Sequence, residues 1–157
     1  MAARAEVVPA IWAHVDELAE TMRQEDVNEI WASSYSTPQS ALSCALRGSL
    51  QAWTGLIDGR VACMFGVMPQ SLMGGSGFPW MLGSDLIVRH QKLFLRRCRK
   101  NVAMMAEQFN YLHNYVDDRN HKSIKWLQWL GFEMGEPEPF GVLGLPFRHF
   151  EMRVNHV

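Results

Sequence analysis

The sequence predicts one mixed α/β domain of the α+β kind, with a mostly antiparallel sheet, a central parallel strand pair and flanking helices. Three observations carry that expectation. The chain has 157 residues, 48% of them hydrophobic and 20% charged, which fits one core rather than two and needs no disulfide or metal to hold it. Helix-period text fills residues 10–50 and strand-like text begins at residue 52. A late strand–helix–strand crossover then implies a parallel pair. The domain is expected to span 1–157, its sheet lying mainly in 52–157.

The elements follow in order. Ala5–Pro9 predicts a short strand. Ile11, Val15, Leu18 and Met22 are spaced four, three and four, one apolar helix stripe. Val27, Ile30 and Trp31 mark a second helix near Glu25–Ala32. Thr37-Pro38 predicts a third helix start, a hydroxyl cap with proline at the first helical position, and Gly48 its end. Asp58-Gly59 between two apolar runs predicts a hairpin with a type I′ turn. Gly74-Gly75-Ser76-Gly77 reads as a loop. A third strand is expected over Phe78–Val88, its last residues Leu86-Ile87-Val88 suiting a strand buried on both faces. Leu95, Cys98, Val102, Met105 and Phe109 give a long helix. Tyr111–Val116 alternates as a strand, with Leu112, Asn114 and Val116 on one face and Tyr111, His113 and Tyr115 on the other. Asn120–Leu130 is helical with Gly131 as its stop. Val142–Leu145 and Phe147–Val154 are expected to close the sheet.

Composition excludes several function classes. The net charge of −1 argues against a general nucleic-acid coat. No apolar run approaches the ~18 residues of a membrane-spanning helix. Cys44, Cys63 and Cys98 form neither a disulfide framework nor a C-x-x-C motif, which fits a reducing, intracellular setting. The six histidines are scattered with no ligand-spaced pair, so no metal is expected. The charge is nonetheless uneven: the first thirty residues are acidic, whereas Arg89–Lys100 carries six cations and no acid.

Asn120-His121-Lys122-Ser123-Ile124-Lys125-Trp126-Leu127-Gln128-Trp129-Leu130-Gly131-Phe132 has an Asn, a small residue three later, an apolar pair at six and seven, and Gly-Phe at eleven and twelve. This resembles the late motif of the GNAT acetyltransferase superfamily. From Gly83 to Glu136 the chain is more closely similar to a diverged branch of that superfamily, the internal virion proteins of short-tailed phages. The shared run is Gly83-Ser84-Asp85, a basic helix start, Asn114-Tyr115-Val116 and the Asn120–Phe132 motif.

The resemblance implies a GNAT-like fold and a cleft for acetyl-coenzyme A between two splayed parallel strands. It implies cofactor contacts from Leu86, Ile87 and Val88 on the first strand, from Gln91, Lys92 and Arg96 at the following helix start, and from Asn120 and Ser123. Asn120 is expected to cap its helix. Tyr115, Asp85 and His113 are the candidate catalytic groups, with Tyr111 as a further tyrosine and Asp117 as a further base. Two departures stand against activity. The glycines that would follow Gln91 are absent, bulky Phe94 and Leu95 standing where a phosphate should approach, and Leu127 occupies the usual position of the acid tyrosine. The branch therefore implies an internal virion or assembly protein contacting other phage structural proteins, in the host cytoplasm or the virion, and possible as a homo-oligomer. The alternative is an active acetyl-coenzyme A-dependent N-acyltransferase. DNA contact through Arg89–Lys100 is the less favoured use of the basic stretch, and no membrane partner is expected.

Overall fold

The computed structural model describes residues 2–71 and 73–154. Among the described residues seven strands form one sheet: β1 (Ala5–Pro9), β2 (Gln51–Ile57), β3 (Arg60–Ser71), β4 (Ser76–Gly83), β5 (Tyr111–Asp117), β6 (Glu133–Phe140) and β7 (Leu145–Arg153). Their spatial order is β1-β2-β3-β4-β5-β7-β6, and β4–β5 is the parallel pair in an otherwise antiparallel ladder. The helices are α1 (Trp12–Thr21), α2 (Gln24–Ser34), α3 (Pro38–Gly48), α4 (Asp85–Arg89), α5 (Gln91–Gln108) and α6 (His121–Trp129).

The local signals act where the sequence places them. Thr37 Oγ1 accepts the Ser40 N–H at 3.2 Å and Pro38 opens α3. Asp58 and Gly59 turn the β2–β3 hairpin with φ of 49° and 79°, the left-handed pair of a type I′ turn. Gly131 stops α6 at φ 104°.

Among the described residues the two larger of three apolar clusters lie on opposite faces of the sheet. On one, Val15, Leu18, Ile30 and Leu42 from α1–α3 pack on Met64 and Leu82. On the other, Phe94, Cys98, Met105 and Trp126 from α5 and α6 pack on Phe65, Val67, Leu112 and Val116. The strand buried on both faces is therefore β3, whose Val61–Val67 run is apolar throughout and enclosed.

Leu86-Ile87-Val88 is not a strand. β4 stops at Gly83, Ser84 Oγ accepts the Leu86 N–H at 3.3 Å, and Asp85 sits in the first turn of α4. A serine cap and an acid at a helix start outweigh an apolar triplet that a single helical turn can bury equally well. The chain's end also differs from the expectation. Val142 lies in a turn, one continuous β7 replaces two closing strands, and its partner β6 is the exposed edge strand Glu-Met-Gly-Glu-Pro-Glu-Pro-Phe.

Candidate functional site

The parallel pair opens a cleft, for a reason visible in the sequence. β4 and β5 are in register at Ser76↔Tyr111 and Gly77↔Leu112, and no further. The next residue of β4 to face β5 is Pro79, which has no N–H to continue the ladder. Asn114 Nδ2 donates to the Pro79 carbonyl at 3.0 Å, and beyond that point the strands diverge. The space between Pro79–Leu82 and Asn114–Val116 is a cleft of about 430 Å³. Glu29, Ser33 and Ala45 line it from the α2–α3 side, and Val102, Trp126 and Leu127 from the α5–α6 side. Among its lining residues Glu29 is the one acidic or basic side chain of the Asp, Glu, Lys or Arg kind.

The open ends of the two strands are bridged by a buried polar cluster. Arg23, 2% exposed, joins α1 to α2. Its N–H donates to the Gly83 carbonyl at 2.8 Å, and Met22 pairs with Ser84 in an antiparallel bridge. The Gly83 N–H donates to Asp26 Oδ2 at 2.8 Å. Arg23 Nη2 donates to Asp26 Oδ1 at 3.0 Å and, across the cleft, to Asn120 Oδ1 at 2.9 Å and Ser123 Oγ at 3.4 Å. Asn120 Nδ2 donates to Asp26 Oδ1 at 3.1 Å. The Arg23 guanidinium lies 5.1 Å from the Trp126 ring centroid, and its Nε is buried without a partner among the described residues. Burial pushes the Asp26 carboxyl above its usual value, while Arg23 and the bonds from Gly83 and Asn120 pull it back.

Glu29 sits one helical turn further along α2. Its Oε1 accepts the Asp117 N–H at 2.7 Å. Burial, and then the charges of Asp26 and Asp117, push its carboxyl up to about 8. Asp117 itself is buried and held by Arg119, whose Nη2 donates to its Oδ2 at 2.7 Å.

The residues singled out from the sequence scatter. Tyr115 and Ser123 line the cleft. Asn120 does not cap α6: its side chain is committed to Arg23 and Asp26. Gln91 Oε1 accepts Trp126 Nε1–H at 3.1 Å. Lys92 and Arg96 are exposed on α5. Asp85 is exposed beside a separate polar depression with Glu17, Arg60 and Arg89. His113 lies outside the cleft, its Nδ1 3.0 Å from His149 Nε2 and its Nε2 2.7 Å from Gln70 Oε1. Tyr111 Oη donates to Glu151 on β7. Leu86, Ile87 and Val88, on α4 rather than a strand, are not among the cleft's lining residues. Sequence reading missed Arg23, Asp26 and Glu29. The signal available was three charges spaced three apart at the start of the helix that also carries Ile30, with Arg23 just before it and Asp26 and Glu29 within it.

These residues do not fit a coenzyme A pyrophosphate as the resemblance places it. A capped helical turn, α4, stands where a glycine loop should expose N–H groups, and the last N–H of β4 is taken by Asp26. Phe94 and Leu95 are not the obstacle: both side chains turn into the core.

No protein-family model matches the chain, and no curated protein matches it. Solved structures do. Ard1 from Thermoplasma volcanium superposes with a TM-score of 0.74 at 13% identity, over 97% of this chain and 99% of that one. The aminoglycoside acetyltransferase AAC(6')-Ib, solved in complex with coenzyme A, gives 0.68 at 14%, over 96% and 95%. The ribosomal-protein-S5-alanine acetyltransferase from Vibrio fischeri gives 0.67 at 13%, over 96% and 93%.

Proposed function

We propose that this chain uses its fold, that of the GNAT acetyltransferases, for protein contact, as an internal or assembly protein of a short-tailed phage virion, rather than for acetyl transfer; fold does not fix function. The observation that carries the reading is the Arg23 cluster. It takes the Gly83 N–H and C=O, Asn120 and Ser123, the groups that a ligand threading between the splayed strands would need. The resemblance of Gly83–Glu136 to phage internal virion proteins supports the setting, with other virion proteins as partners and the host cytoplasm and the particle as places of action.

The test is a thermal melt with about millimolar acetyl-coenzyme A, alongside mass spectrometry of purified particles. A ligand present at a hundred times its Kd adds about 2.7 kcal/mol, several degrees for a domain of this size. The expected result is an unmoved melt and the chain found in the particle. A clear upward shift would overturn the reading.

A second reading rests on Glu29. A carboxyl held near 8 inside an apolar cleft is poised as a general base for an amine. The backbone alternation that sends the Gly83 polar groups toward the cleft also sends those of Met81 there. This reading is an N-acyltransferase, with Glu29 in the role that Asp85, His113 and Asp117 were expected to fill. An upward melt shift that persists in Glu29→Gln, with loss of acyl transfer to amines, would establish it.

A further inference from the structure

The uneven charge of the sequence becomes a two-faced molecule in the fold. The helices over one core, α5 and α6, expose Lys92, Arg96, Arg99, Lys100, Lys122 and Lys125. The helices over the other core, α1 and α2, expose Asp16, Glu20 and Glu25. Among the described residues none of these nine groups has an ion-pair partner within the chain. Lys92 and Lys122, in the first turns of α5 and α6, also sit against their helix dipoles, with no acid in either first turn. Each face carries exposed aromatic anchors. Arg99 stacks 3.9 Å from the centroid of Trp129, which is 43% exposed, while Trp12 and Trp31 are about half exposed on the acidic side. Aromatic and arginine side chains are the usual anchors of an interface.

We propose that the basic α5–α6 face docks on the acidic α1–α2 face of a second copy of this chain. The partner is chosen by complementarity, because one chain carries both halves of the match. The two faces lie on opposite sides of the sheet, so a two-fold dimer cannot satisfy both. The contact is head-to-tail, and it closes into a ring or extends as a filament. It does not depend on whether the cleft binds a cofactor.

The test is the mass in solution by sedimentation, at low and at high salt. At low ionic strength the wild-type chain runs at a multiple of 18.0 kDa, and it returns to that mass when salt screens exposed charges. Arg96→Glu with Arg99→Glu gives a monomer, and so does Glu20→Lys with Glu25→Lys, both with unchanged circular dichroism. Mixing the two monomeric variants restores association, because each keeps the face that the other has lost. A wild type that stays monomeric at low salt overturns the proposal. If that monomer binds a short DNA duplex in a salt-dependent way, the face belongs to nucleic acid instead. Association that survives either charge reversal also overturns it.

Discussion

Arg23 shows how much one buried charge can organise. It is fully desolvated, yet one nitrogen meets three acceptors and its Nε meets none among the described residues. Removing one partner of a buried ion pair costs about 3–5 kcal/mol, because the other is stranded. Arg23→Ala is therefore expected to lower the unfolding free energy measured in urea by about 3–5 kcal/mol, leaving Asp26 uncompensated. Glu29 sets a pH dependence of definite sign. Its folded-state value of about 8 lies above the ordinary 4.5, so between those limits the folded chain holds a proton that the unfolded chain has released. Stability from this group is complete below about 4.5 and declines as pH rises toward 8. Glu29→Gln should flatten that decline in urea titrations run from pH 5 to pH 8, at about half-unit steps. An unchanged slope would mean that the carboxyl ionises as freely as in water.

Among the elements, those with a local signal were legible and those decided by their neighbours were not. The Thr37-Pro38 start, the Asp58-Gly59 turn and the Gly131 stop each act through backbone geometry within a few residues. Leu86-Ile87-Val88 had no periodicity to choose between strand and helix, and the Ser84 cap decided it. β6 was illegible because it is an edge. Pro137 and Pro139 and three exposed glutamates guard it against further pairing, and such a segment shows no apolar alternation. Gly55 was legible as part of a strand, but its reason is tertiary. A Cβ there would stand 2.6 Å from Phe94 Cε2 and 2.9 Å from Cys63 Sγ. Gly55→Ala is thus an overpacking change, expected to cost about 1–3 kcal/mol. Combined with Phe94→Leu, it should cost less than the sum of the two single changes, measured by a double-mutant cycle in urea. Additive losses would show that Phe94 is not what Gly55 accommodates.

At the scale of the whole molecule, the sheet is two ladders, β1–β4 and β5–β7, meeting at two register pairs. Pro79 opens the seam from within. The seam's closed end is held by Gly77, where a Cβ would meet Val67 at 2.8 Å and Phe109 at 3.1 Å. Its open end is held by the Arg23 cluster and by the Asp117 N–H bond to Glu29. The parallel pair was legible from the crossover, and Asn120 and Ser123 from their motif. The cluster was not, because it joins residues 94 to 100 positions apart and no local pattern encodes such a pairing. This division predicts how the protein opens. The sub-global opening of lowest energy should part β5, α6 and β7 from the first ladder, leaving β2 and β3 protected. Hydrogen exchange of Arg23→Ala should therefore accelerate at Gly83 and at the first turn of α6, with little change in Val61–Val67. Uniform acceleration through both ladders would mean that the sheet unfolds as one unit and that Arg23 contributes stability without acting as its clasp.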